Sequence, residues 1–232
     1  MSEYQAFYEM VKKWTVWDYR TQGLKSEVIV DMLISDFIEE MVAANLEKVD
    51  VNNVKLLAKE FPIRTNKKNR LNAKVDYLVK VKNDLYLIEL KSTNASLKDK
   101  QKKRMKDAEK NGVEDLWKFF FQIVDGELTA SAKKKYEYTL HRIQKQLGID
   151  SSCIRDCFTN VDSKVRIMYI CLRNPSEGEN FFDDETQHFY LNELQENVKF
   201  MSYIRTRGKQ EIWNCLHEIL LELDQTAEIF EG

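Results

Sequence analysis

Asp76, Glu89 and Lys91 are the residues of this chain whose types and spacing could do chemistry. They lie in LNAKVDYLVKVKNDLYLIELK, residues 71–91, where Val75, Tyr77, Val79 and Val81, then Leu85 to Ile88 and Leu90, are strand formers on either side of Lys82-Asn83-Asp84, which reads as a tight turn. The stretch therefore predicts a β-hairpin. With Asn83-Asp84 as a two-residue loop, the antiparallel ladder sets Asp76 opposite Lys91, with Glu89 diagonal to both. With Lys82-Asn83 as the loop, Asp76 stands opposite Glu89 instead. Either register leaves the three side chains on one face, because Glu89 and Lys91 share parity; a three-residue loop breaks this unless a bulge compensates.

Two carboxylates and an amine at the rim of an apolar sheet are costly to desolvate unless something satisfies them, and a divalent cation would. Oxygen donors suit hard Mg²⁺, with Mn²⁺ able to substitute. A cation held there beside an ammonium matches the needs of phosphodiester hydrolysis: a neutralised transition state, a positioned water and a stabilised leaving oxygen. Lys91, close to two carboxylates, suits orienting water and balancing charge better than acting as a neutral base. In an isolated hairpin the plain alternative is an Asp76–Lys91 ion pair with Glu89 solvated beside it, so the surrounding elements decide.

Upstream, residues 26 to 42 carry apolar residues at helical spacing behind Ser26 as N-cap. Val54 to Phe61 reads as a first strand, followed by a basic loop and the hairpin. A charge-rich helix is expected over about 97–110, and Val165 to Leu172 is the next clear strand. The order is α-β-β-β-α-β. Residues 113–124 and 130–148 read as amphipathic helices, the second ending at Gly148. Phe189-Tyr190-Leu191 reads as an edge strand. A helix from about Lys209 to Ala227 presents Ile212, Trp213, Leu216, Ile219, Leu220 and Leu223 on one side, expected to pack on the sheet in preference to forming a dimer interface.

That order, with an aspartate on the second strand and Glu-x-Lys on the third, resembles the core of the PD-(D/E)XK nuclease superfamily. The resemblance covers about residues 24–172 and is strongest over 59–91. It implies an α/β, restriction-endonuclease-like core, a central mixed sheet flanked by helices, with additional helices. The chain would be a single domain over 1–232, residues 185–228 packing on that core. Asp76 takes the place of the motif's aspartate and Glu89-Leu90-Lys91 that of its (D/E)xK. Val75 stands where the family's name has proline. Asp76, Glu89 and the backbone carbonyl of Leu90 would then hold Mg²⁺. Glu27, early in the first helix, sits where many members carry a further acid, though such an acid also suits a helix N-terminus; Glu39, Glu40 and Glu60 are the other acids near enough in the pattern. Gln101 loosely matches a helical glutamine of some members, in which a tyrosine stands where this chain has Met105. The implied activity is that of a metal-dependent endonuclease acting on DNA, with RNA as second substrate, in restriction, defence or repair. The alternative is a catalytically silent nuclease-fold protein that binds nucleic acid or a protein partner.

The formal net charge is −2 and the pI near 6.0, so the chain is not globally basic. Positive charge is instead concentrated: Arg64, Lys67, Lys68, Arg70 and Lys74 lead into the Asp76 strand, while Lys98, Lys100, Lys102, Lys103, Arg104, Lys106 and Lys110 follow the Lys91 strand. Both groups flank the proposed site in sequence, as phosphate-contacting segments should. Lys133 to Lys135, Tyr136 and Tyr138 could also contact a nucleic acid. No apolar run approaches a membrane span and no signal-peptide core is visible, so a cytoplasmic, non-membrane protein is expected, with a homodimer or protein partner left open. Cys153, Cys157, Cys171 and Cys215 read as reduced thiols, and no partner pair completes a zinc pattern. His141, His188 and His217 share no spacing with a nucleophile and are expected to pack. Walker A, GxGxxG and HExxH motifs are all missing from the sequence.

Overall fold

Strand positions between 54 and 91 hold valine, leucine, isoleucine and aromatic residues with little interruption, and runs of that kind must be covered on both faces. The computed structural model describes residues 8–13, 26–64, 73–91, 99–126, 130–149, 153, 162–172, 182 and 186–231. It forms β1 (Val54–Ile63), β2 (Ala73–Val81), β3 (Asp84–Lys91), β4 (Val165–Cys171) and β5 (Gln187–Tyr190) into a five-stranded sheet in that order. β1, β2 and β3 are antiparallel neighbours, whereas β3, β4 and β5 run parallel. The protein is α/β, with a mixed sheet flanked by helices.

One face is covered by α1 (Ser26–Ile34), α2 (Ile38–Ala44), α5 (Val198–Thr206) and α6 (Gln210–Glu231). Their Val30, Ile34, Met41, Phe200, Ile204 and Trp213 pack against Tyr77, Val79, Ile88, Leu90, Met168 and Ile170. On the other face lie α3 (Asp99–Asp125) and α4 (Ala130–Leu147), whose Met105, Leu116, Trp117, Phe120 and Ile143 meet Leu78, Leu85, Leu87, Val165, Tyr169 and Cys171. Each fully buried side chain of this size stabilises the fold by roughly 1.5–3 kcal/mol relative to exposure.

Several expectations are adjusted by local chemistry. The helix expected over 26–42 is broken by a 3₁₀ turn at Ser35–Phe37, where Ser35 Oγ donates to Asp31 O at 2.9 Å, a back-bond of the kind that bends helices. The helices expected over 97–110 and 113–124 are two arms of α3, separated by Gly112 at φ 81 and ψ −175. Gly148, at φ 65, follows α4 as expected. Among the elements that went unread are the 3₁₀ turns Val51–Asn53 and Leu191–Glu196, and α5, capped by Asn197 accepting from Phe200 N at 3.0 Å. On α6, Trp213, Ile219, Leu220 and Leu223 are in the core, but Ile212 is 45% exposed. Tyr136, considered for nucleic-acid contact, is buried against Phe120. Tyr138 is exposed.

Hairpin geometry matters most for the site. Val81 pairs with Asp84, so the loop is Lys82-Asn83, Lys82 at φ 53. This is the register in which Asp76 falls opposite Glu89. The β2–β3 ladder nevertheless stops at Tyr77↔Ile88, whereas β1–β2 continues to Ile63↔Ala73 and β3–β4 to Lys91↔Cys171. β2 and β3 therefore part where the three candidate residues begin.

Candidate active site at the fork between β2 and β3

Beyond Ile88, the edge of β3 that faces β2 has no ladder partner, and its backbone groups need other acceptors. Asp76 supplies one: its Oδ2 accepts from Leu90 N at 2.6 Å, the carboxylate standing where a strand carbonyl would otherwise be. In a strand the N–H and C=O of one residue point to the same edge, so the Leu90 carbonyl also faces the fork. The next residue faces the other way, since Lys91 O accepts from Leu172 N at 2.9 Å.

Glu89 and Lys91 stand on the face covered by α3 and α4, each 4% exposed. Lys91 Nζ lies 3.1 Å from Glu89 Oε1 and donates to Gln101 Oε1 at 3.1 Å, while Gln101 Nε2 donates to the same Glu89 oxygen. Gln101 is near the start of α3, which returns over the carboxyl ends of the parallel strands. In open α/β sheets that edge is where ligands gather. Cys171, paired in register with Lys91, has its thiol pushed up to about 12 by burial, with the Lys91 charge opposing.

Glu89, Lys91 and Gln101 thus converge, with the Asp76 carboxylate one residue away at Leu90 N. Glu27 belongs to α1, which packs on the opposite face through Ile29, Val30 and Ile34; its side chain lies outside the described residues. Of the other acids considered, Glu39 accepts from Leu56 N at 3.0 Å and from Arg207 at 3.0 Å, and Glu40 accepts from Arg207 at 3.0 Å. Glu60 takes Lys74 at 3.3 Å and also Lys135, whose hydrogen bond, ahead of opposing burial, lowers the Glu60 carboxyl below its ordinary range. Lys74 and Arg64 of the basic set are therefore engaged internally, Arg64 with Asp115 at 3.3 Å and over the Phe119 ring. Lys103 is exposed and Arg104 half-buried, while Lys102 Nζ sits 5.9 Å from the Phe182 ring centroid. Lys67, Lys68, Arg70 and Lys98 lie outside the described residues.

Asp31 was missed. Its carboxylate takes Lys59 Nζ at 2.6 Å and the Tyr77 hydroxyl, on the face opposite Glu89 and next to Asp76 in sequence. Burial first, then Asp31, raises the Tyr77 hydroxyl far above its ordinary range. The available signal was helical: Asp31 is a lone acid between Val30 and Met32 in an otherwise apolar stretch.

Among the described residues no group of three or more His, Cys, Asp or Glu could hold a metal. Asp76, Glu89 and the Leu90 carbonyl offer oxygen donors only, the donor type that Mg²⁺ takes together with several of its own waters. No helix among the described residues is long and apolar enough to cross a membrane. No protein-family model matches this chain, and comparison with curated proteins and with solved structures gives no match.

Proposed function

We propose that the protein is a metal-dependent nuclease of the PD-(D/E)XK type, cleaving phosphodiester bonds of DNA at the fork between β2 and β3. The observation carrying this reading is the Glu89–Lys91–Gln101 cluster at the carboxyl end of β3, beside an Asp76 carboxylate in the fork. A salt bridge needing only to stabilise a strand has no reason to recruit a helix amide and to sit where the sheet opens. Asp76, Glu89 and the Leu90 carbonyl would hold Mg²⁺, which when bound supplies charge neutralisation at the scissile phosphate. Lys91 would donate an N–H hydrogen bond to the oxygen of the attacking water, orienting it, and balances the carboxylates. Gln101 fixes the rotamers of both partners through its amide, and α3 above them excludes bulk water, which strengthens each interaction.

A plasmid-nicking and oligonucleotide-cleavage assay in Mg²⁺, with EDTA as control, tests this. Wild type should cut, and Asp76→Asn, Glu89→Gln and Lys91→Ala should each lose roughly 10²–10³-fold in rate, the scale of removing one transition-state contact. Full activity in any variant removes that residue from the mechanism. The second reading is a silent nuclease-fold binder. It is favoured by the engagement of Glu89 Oε1 with both Lys91 and Gln101, and would be borne out by Mg²⁺-independent binding without nicking.

A further inference from the structure

Across the three parallel strands, Glu89 is in register with Tyr169 and Tyr169 with His188; one row on, Lys91, Cys171 and Tyr190 follow. His188 therefore stands in the Glu89 row, two strands away on the edge strand β5. At strand spacing this is about 10 Å from Glu89. His188 is exposed. Its ring stacks on Phe182 at 4.4 Å between centroids and 20° between planes, and Phe182 continues to Tyr169 at 5.1 Å and 35°. Tyr190 meets the imidazole edge-on at 5.4 Å, and Nδ1–H donates to Thr186 O at 2.9 Å, so the ring is clamped on two sides. Lys102, the residue after Gln101, brings its ammonium to 5.9 Å from the Phe182 centroid.

We infer that this aromatic row with Lys102 is a stacking platform for an unpaired nucleobase, so that the substrate is nucleic acid with a single-stranded segment next to the scissile phosphate. The inference rests on the nuclease reading for its phosphate position. The base platform itself stands on the His188 geometry. This histidine is exposed and held parallel to a buried ring, and that ring in turn carries a cation 5.9 Å from its centroid. Rigid aromatic faces backed by positive charge are what bind single strands without reading sequence. A blunt duplex presents a free base face only at its terminal pairs, and unstacking an internal base costs a few kcal/mol.

The test uses the full chain with a fluorescein-labelled 20-nucleotide single strand carrying 2-aminopurine, a duplex with single-stranded tails, and a blunt duplex of the same sequence, all in EDTA. Wild type should bind the single strand and the tailed duplex at least tenfold more tightly than the blunt duplex and quench 2-aminopurine. His188→Ala should weaken single-strand binding about 5- to 150-fold, from the roughly 1–3 kcal/mol of one stacked base, and abolish the quench, leaving blunt-duplex affinity unchanged. His188→Phe should restore both. Equal affinity for single strand and duplex, or an unchanged His188→Ala, overturns the platform. The same oligonucleotides in Mg²⁺ separate the two readings. Stacking without cleavage sinks hydrolysis and leaves the platform, cleavage of blunt duplex indifferent to His188 sinks the platform and leaves hydrolysis, and no binding of any oligonucleotide sinks both.

Discussion

Glu40 and Glu89 are buried acids on opposite faces of one sheet, 0% and 4% exposed, and their partners differ in origin. Glu40 on α2 is met by Arg207 at 3.0 Å and Lys209 at 2.7 Å, both from the turn between α5 and α6, more than 160 residues along the chain. Arg207 also takes Glu39, which in turn caps Leu56 N of β1. Two acids, two cations and a strand amide thus tie three distant segments together. Glu89, by contrast, draws its cation from Lys91 on its own strand, and the pair is bridged to α3 by the neutral Gln101 amide. Burying such a pair costs desolvation, and a bridge through a neutral amide returns less than the paired charges around Glu40 do. The first cluster fastens the C-terminal helices, whereas the second is the one proposed above to act on substrate.

The largest expected effect sharpens this contrast through Glu89. Glu89→Gln keeps shape and the hydrogen bonds to Lys91 and Gln101, so Tm should move by no more than a few degrees while cleavage falls roughly 10²–10³-fold, equivalent to about 3–4 kcal/mol in barrier. A variant that melts early but cuts normally when folded would make Glu89 a structural acid and erase the comparison. Next comes the double change Arg207→Met with Lys209→Met, which strands Glu40 in the core. Removing the partners of a buried charge typically costs about 3–5 kcal/mol, measurable as a lower urea midpoint at unchanged slope, with kcat of the folded fraction preserved. A loss below about 1 kcal/mol would mean the cluster does not fasten the helices. Tyr77→Phe is smaller: it removes one hydrogen bond to a charged group, worth about 1.5–3 kcal/mol at most, while Lys59 still holds Asp31 at 2.6 Å. The Asp76 side of the fork should be affected only through stability, and a cleavage loss larger than tenfold at full folding would place Tyr77 among the positioning residues.

The fork itself was only half legible in the sequence. Alternation and the Lys82-Asn83-Asp84 turn were enough to pair β2 with β3 and to leave two registers, because turn residues and side-chain parity are local properties. Which register holds depends on where the loop closes, and Val81↔Asp84 selects the one with Asp76 opposite Glu89. That the strands then part could not be read, since where a ladder ends depends on contacts with strands and helices distant in sequence. Gln101 illustrates the same limit: its spacing after Lys91 was visible, but its grip on both Glu89 and Lys91 needs the path of the chain between β3 and α3. Arg207, Lys209 and Asp31 left almost no trace, because a cation on a C-terminal turn and an acid on a helix look like surface residues until the fold brings them inward. Basic loops misled in the other direction, since Arg64 and Lys74 meet Asp115 and Glu60 within the protein.

The smallest effect separates the two faces by pH. His217 on α6 belongs to the fastened face; burial first lowers its pKa from 6.5, with the Asn192 backbone opposing, and its Nε2 is buried without a hydrogen-bond partner among the described residues. Because the folded-state value is the lower one, the unfolded chain takes up the proton first as pH falls. Stability from this group is therefore complete above about pH 6.5 and declines below it, no more steeply than about 1.4 kcal/mol per pH unit for one proton. Glu60 acts in a different window: its carboxyl is lowered from 4.5, chiefly by Lys135, so its contribution is complete above about pH 4.5 and is lost only below that. Urea unfolding of wild type from pH 8 to 3 should show a loss beginning near pH 6.5, and His217→Gln should flatten that upper window while leaving the decline below pH 4.5 in place. Cleavage measured at saturating substrate should not follow the His217 change, because α6 covers the face away from Glu89. A rate that tracks this histidine would mean that the two faces communicate, and that the fastening cluster and the fork cannot be treated as independent parts.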